Sequence, residues 1–213
     1  NATFTDAIAD GDCEGTKVIT RTWSLVDSCG NRAADQVQTI TVSDTTRPTF
    51  TRPADITIYT DADCNYDASV SVTGDVTDEK DNCSTGINAT FTDAIADGDC
   101  EGTKVITRTW SLVDACGNAA ADQVQTITVL DTTAPVIESI NLDSTLTATN
   151  CVFKIPDLTA EVRNISNDLC TPNADLIISQ SPAAGTVLAQ TDTAQNVTVT
   201  VTVKDLCGNE STK

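Results

Sequence analysis

The chain has 213 residues and carries 31 acidic against 12 basic side chains, a formal charge of −19, so the phosphates of a nucleic acid and an anionic membrane surface are both repelled. Nine cysteines with no histidine and no methionine are unlike a cytosolic enzyme, and no CxxC pair of a zinc site occurs; the expected compartment is oxidising and extracytoplasmic. No run of 18 apolar residues is present for a membrane-spanning helix, and membrane insertion by this segment is not expected.

Taken in order, residues 1–42 recur as residues 88–129, an offset of 87, and differ only at Ser28/Ala115 and Arg32/Ala119. DTTRP at residues 44–48 returns as DTTAP at residues 131–135, each after a QTITV stretch, and Pro among small polar residues suits a short stiff linker. Residues 1–43 therefore read as the C-terminal half of a truncated repeat, 44–130 as a complete repeat, and 131–213 as a diverged repeat lacking its last strand. Both ends read as cut within a repeat, so a longer array is expected.

Within the complete repeat, Thr- and Val-rich stretches predict strands at residues 56–60, 68–73, 87–95, 104–114 and 124–129, with Asp, Gly and Asn in the turns between them. The fold class expected is all-β: tandem immunoglobulin-like β-sandwiches in series as an elongated rod. Val197, Val199, Val201 and Val203 share one parity, which assigns their face to the core. Aligning Asp205 with Asp114 puts Ile106, Arg108, Trp110 and Leu112 on the same face. Trp110 and its copy Trp23 are thus expected in the core and not as sugar platforms.

The strands also constrain the cysteines. About ten extended residues, roughly 33 Å, separate Cys100 from Cys116, far beyond bridging distance, and the same holds for Cys13 and Cys29. Alternating strands bring Cys64 to the end that holds Cys100 and Cys83 to the end that holds Cys116. The expected bridges are Cys64–Cys100, Cys83–Cys116 and, in the third repeat, Cys170–Cys207, with Cys64–Cys83 left open as a rival. Cys13, Cys29 and Cys151 are then without partners.

The same topology gathers acids where repeats meet. Asp61, Asp63, Asp97 and Asp99 would face Asp131, Asp168 and Asp205; the preceding set is Asp10, Asp12, Asp44, Asp81 and Asp114. Converging carboxylates suit Ca²⁺, and Asp44, Asp81, Asp114, Asp131, Asp168 and Asp205 are the candidate ligands. Against this stand the lack of an EF-hand loop, a cluster at Asp75, Asp78 and Glu79 that the third repeat does not reproduce, and the ordinary use of Asp to cap turns. Without histidine, GxSxG or P-loop, no catalytic residues are expected, and the chain is read as no enzyme.

DTTxP, TDADC, DEKDNC, ITRTWSLVDxCGN and QTITV together resemble the repeats of the giant gliding-motility surface adhesins of Bacteroidetes, the SprB type, themselves similar to hyalin (HYR) repeats. The resemblance runs through Pro135; the third repeat departs from it, lacking the Trp and one upper-end cysteine. It implies type IX secretion and display as filaments at the cell surface, with cell adhesion and gliding motility as the use. The expected partners are neighbouring repeats, the gliding and secretion machinery and, through other regions, a substratum or surface polysaccharide. It further implies O-glycosylation at Asp44-Thr45, Asp131-Thr132 and Asp192-Thr193, whereas the six N-X-S/T sequons need no explanation beyond Thr and Ser abundance. The alternative is a carbohydrate- or receptor-binding array, which would need exposed aromatics.

Overall fold

The computed structural model describes residues 1–139, 152–189 and 196–213. It is mostly β, with strands in several small sheets and, among the described residues, two short α-helices and one 3-10 helix, Asn173–Asp175. The chain divides into two compact units. The first holds Asn1–Asp55, Thr73–Ala94 and Thr107–Thr126; the second holds Ile56–Val72, Ile95–Ile106 and Ile127–Lys213.

In the first unit β1 (Thr3–Asp10), β2 (Lys17–Ser24) and β3 (Gln36–Val42) form an antiparallel meander in the order β1-β2-β3. Cross-strand chemistry fixes its register. Asp6 lies opposite Arg21 and accepts two hydrogen bonds from its guanidinium at 2.8 Å, Phe4 packs on Trp23 with ring centroids 5.2 Å apart, and Lys17 pairs with Asp10. After this come β4 (Thr49–Thr51), β5 (Ile56–Tyr59), α1 (Val70–Thr73), β6 (Thr77–Lys80), β7 (Thr90–Asp97), β8 (Lys104–Ser111) and β9 (Gln123–Leu130). β4 pairs with β6, and a four-stranded sheet has the order β5-β9-β8-β7 with β5 parallel to β9.

The parity expected from sequence holds along β8 and just beyond it: Ile106, Arg108, Trp110 and Leu112 are all buried, to 2 % exposure or less. Burying a guanidinium demands a full set of partners. Arg108 Nε and Nη2 each donate to Asp93 at 2.8 Å, Nη1 donates to Thr73 Oγ1 at 2.8 Å, and the guanidinium lies 4.0 Å over the Phe91 ring. Gln125 on β9, also fully buried, donates to the carbonyls of Ala54 and Thr73.

Those two demands on Thr73 explain a departure from expectation. Residues 68–73 were expected as a strand and instead turn through α1, which presents both the hydroxyl and the carbonyl of Thr73 to buried donors. Trp23 is also corrected: it is half-buried, with its Nε1 donating to Gln38 at 3.2 Å, because its sheet has three strands among the described residues where that of the buried Trp110 has four.

The second unit continues with β10 (Val136–Ile137), β11 (Phe153–Lys154), α2 (Thr159–Asn164), β12 (Ser166–Asn167), β13 (Ile177–Ser181), β14 (Val187–Leu188), β15 (Thr200–Lys204) and β16 (Glu210–Thr212). Two apolar clusters hold it: Ile58, Ile106, Ile127 and Val129, and separately Val162, Leu176, Val201 and Val203. Val197 was expected in the core but is exposed, since β15 begins only at Thr200.

Truncating Asp93 to Ala should destabilise by about 3 kcal/mol, because it leaves the Arg108 charge buried without its counterion. The same change at Asp6 should have a much smaller effect, since the Arg21–Asp6 pair is open to solvent. Denaturant midpoints of the two variants check this, and equal shifts would refute it.

Candidate functional site

Each DxCGN stretch forms the same turn. Asp114 Oδ1 accepts the backbone N–H groups of Cys116 and Asn118 at 2.8 and 2.7 Å, and Oδ2 accepts the Asn118 amide at 2.7 Å; Gly117 supplies the left-handed residue at φ +87°. Asp27 with Asn31 and Asp205 with Asn209 repeat this pattern. Burial opposes the charge of Asp114, but its hydrogen bonds win and hold the carboxyl below the ordinary range.

In the first unit this turn meets two more acids. Asp44, Asp81 and Asp114 each bring an atom within 4.8 Å of the others. Asp81 Oδ2 accepts from the N–H groups of Cys83 and Ser84, and Asp44 Oδ1 accepts from Thr46 N, while Asp44 Oδ2 and Asp81 Oδ1 are buried with no hydrogen-bond partner. Buried carboxylate oxygens this close repel one another and forgo hydration, and a hard divalent cation offsets both costs. Asp44, Asp81 and Asp114 are therefore the residues that could hold Ca²⁺.

In the second unit Asp131 and Asp168 come together in the same way, and Asp131 Oδ2 is buried without a partner. Burial, with Asp131 and Asp205 nearby, pushes the Asp168 carboxyl up. The third atom of this group is Cys170 Sγ, which is in a disulfide and is no thiolate ligand; Asp205, expected to join, makes the same turn as Asp114 but is not in the group. The expected upper-loop acids join neither group. Asp10 and Asp97 pair with Lys17 and Lys104, and Asp61 caps its own turn through the N–H groups of Asp63 and Asn65.

The disulfides correct the expected pairing. Cys13 bonds Cys116, Cys64 bonds Cys170 and Cys100 bonds Cys207, with Cα separations of 5.2, 5.1 and 5.3 Å. None of Cys64–Cys100, Cys83–Cys116 and Cys170–Cys207 forms. Both members of each expected pair do lie near the same joint, but each sulfur faces a loop of the adjoining repeat. Cys13 and Cys100 are copies of one another, and both bond the cysteine of a DxCGN turn one repeat further on. Cys83 and Cys29 are free, and Cys151 lies outside the described residues. Burial, with Asp44, Asp81, Asp114 and Glu14 nearby, pushes the Cys83 thiol up.

Polar contacts reinforce the first of these joints. Glu14 accepts from the N–H and hydroxyl of Thr85, both at 2.9 Å, and Asn118 Nδ2 donates to the Asp44 carbonyl at 3.3 Å. The second joint repeats the latter as Asn209 to Asp131, but Pro172 stands 87 residues beyond Thr85 and offers neither donor. No protein-family model matches the chain, and no curated protein matches it.

Calcium at a hundredfold excess over its dissociation constant would stabilise by about 2.7 kcal/mol, which raises the melting midpoint by roughly 5–10 °C. Asp81→Asn should abolish that calcium effect and, in chelator, melt no lower than the wild type because one buried charge is gone. Asp61→Asn should keep the full effect. Calorimetric scans with calcium and with chelator distinguish these outcomes, and a wild type indifferent to both refutes the trio as a calcium site.

Proposed function

We propose that the chain is a load-bearing stalk segment of a repetitive secreted surface adhesin, in which immunoglobulin-like repeats stack in series as a rod and perform no chemistry of their own. The observation that carries this reading is the bonding of each repeat to the next: a Cys13–Cys116 bridge at one joint and its counterpart Cys100–Cys207 at the following one. Three disulfides suit an oxidising, secreted environment. Calcium on Asp44, Asp81 and Asp114, and on Asp131 and Asp168 at the next joint, would stiffen those connections further. Display at the cell surface, use in gliding and export by the type IX pathway rest on the repeat resemblance alone.

The bridges give the reading a mechanical consequence. Pulled from its ends, the oxidised chain bears load along the shortest covalent path: Asn1 to Cys13, across to Cys116, back to Cys100, across to Cys207 and on to Lys213. That path is about 34 residues, or roughly 120 Å when extended, against roughly 700 Å for the reduced chain. Single-molecule pulling under oxidising and reducing conditions should show this several-fold difference in final length. Equal lengths would remove the covalent joints from the load path, and saturable binding of one repeat on a glycan array would favour the carbohydrate-binding alternative.

A further inference from the structure

Asp131, Asp168 and Cys170 bring one atom each within 4.8 Å of one another, and the Cys170 sulfur is bonded to that of Cys64. Two carboxylates and both sulfurs of a bridge therefore share one small volume, and all four residues belong to the second compact unit. Calcium would use the carboxylates and leave the sulfurs idle. Thr60 links the two halves of the group: its hydroxyl donates to Asp131 Oδ1 at 3.2 Å and lies 3.8 Å from Cys170 Sγ. Each acid is fixed through one oxygen. Asp131 Oδ1 also accepts the N–H of Thr133 at 2.9 Å, and Asp168 Oδ1 accepts those of Cys170 and Thr171 at 2.9 and 2.6 Å.

Two further observations point to a cation. Asp131 is only 6 % exposed, yet its Oδ2 is buried with no hydrogen-bond partner among the described residues, even with Thr60 in place on Oδ1, and the Asp205 charge adds to that of Asp131 around Asp168. The sulfurs are shielded as well. Cys170 is 8 % exposed, and a Cβ on Gly102 would lie 2.8 Å from Cys170 Sγ and 3.0 Å from Cys64 Sγ, so only a glycine leaves room for the pair. A site closed to water in this way strengthens the pull of its acids and sulfurs on a metal ion.

We propose that Cys64, Cys170, Asp131 and Asp168 form a redox-gated metal site: with the bridge open it takes a divalent cation of the Zn²⁺ class, and closing the bridge expels that ion. Thiolate sulfur selects Zn²⁺ over Ca²⁺, and two sulfurs with two carboxylates supply the four ligands of a tetrahedral site. Bonds of roughly 2.0–2.3 Å set such ligands about 3.3–3.8 Å apart, so the group needs to contract by only about an ångström. Closure from the metal-bound state passes two electrons from the thiolates to a disulfide oxidant, which takes up two protons from water and leaves as two thiols, while Zn²⁺ departs. What stays behind is a carboxylate pair suited to a hard cation. This rests on neither the stalk reading nor calcium at Asp44, Asp81 and Asp114.

The test uses the full chain, reduced with a water-soluble phosphine that takes an oxygen from water and leaves that water's hydrogens on the sulfurs, and then freed of the reagent. Alkylation of each cysteine is timed by mass spectrometry with and without Zn²⁺, and Co²⁺ serves as the spectroscopic probe. Zn²⁺ should slow alkylation of Cys64 and Cys170 several-fold and leave Cys100 and Cys207 unchanged, because a metal-bound thiolate is no longer a free nucleophile. Co²⁺ should give a thiolate charge-transfer band that the oxidised chain lacks. Asp131→Asn and Asp168→Asn keep the side-chain shape, and each should need at least about tenfold more Zn²⁺ for the same protection, a cost that even an outer-shell partner carries. If reduction loosens the second unit, Zn²⁺ should restore slow hydrogen exchange along β15 in the wild type and not in the two Asn variants at the same concentration. Protection spread alike over all the cysteines, or one Zn²⁺ dependence shared by the wild type and both Asn variants, would overturn the proposal. A failed pulling experiment would leave these rates untouched, so the two readings fail separately.

Discussion

The bond from a loop of one repeat to a DxCGN turn of the next is the constraint on which the other features depend. A disulfide that closes a loop of about 100 residues removes on the order of 4–5 kcal/mol of freedom from the unfolded chain in the loop-closure model. The three loops here overlap, with sequence separations of 103, 106 and 107, so their effects do not add. What they do instead is tie the folding of a repeat to its neighbour. Cys100 and Cys116 lie at the two ends of β8 and its following turn, and each is bonded to a different repeat, so the strand between them cannot unravel without straining both joints.

That covalent tie also makes sense of the acids. Three carboxylates held within a few ångströms, with buried unpartnered oxygens, form an arrangement that the chain alone would open up. The Cys13–Cys116 bridge and the Glu14–Thr85 bonds hold it closed, and the Asn118 amide ties the Asp114 turn to the Asp44 backbone. At the second joint two bridges do this and the Glu-to-Thr contact is lost to Pro172, while only Asp131 and Asp168 converge. The two joints therefore balance disulfide against carboxylate pairing differently, on a shared turn geometry.

Much of this was legible in the sequence because it is local or periodic. The 87-residue offset, the positions of β5, β7, β8 and β9, and the inward face of Ile106, Arg108, Trp110 and Leu112 follow from repetition and alternation. The grouping of Asp44 with Asp81 and Asp114 also followed, once strand directions placed them at one end. The disulfide partners did not, because Cys64 and Cys100 at one end and Cys170 and Cys207 at the facing end are all mutually close. Strand counting locates the end but cannot say which sulfur points at which. The α1 turn was hidden for a different reason: its β-branched residues favour a strand locally, and the needs of Arg108 and Gln125 override that preference from a distance. Asp205 makes the same turn as Asp114 and acts on Asp168 through its charge, but the close group at that joint is Asp131, Asp168 and Cys170, a difference of spacing that the shared turn sequence does not encode.

Comparison of the two copies separates what the strands encode from what their surroundings supply. The Arg–Asp fork, the aromatic pair and the cation over the phenylalanine ring are the same in both: Arg21 and Arg108 each lie 4.0 Å over their Phe, and the ring centroids are 5.2 and 4.9 Å apart. The meander is thus built by cross-strand contacts inside the 42 residues. Burial differs, because Arg108 gains Thr73 and Gln125 gains Ala54 only from the segment that precedes them in the complete repeat. The buried charge is consequently a device that recognises its own front half. Arg108 is satisfied only when α1 has turned to present Thr73, and α1 follows directly on the segment whose β5 strand lies along β9. The helix turn and the burial of the charge are therefore coupled through Thr73, which serves both Arg108 and Gln125.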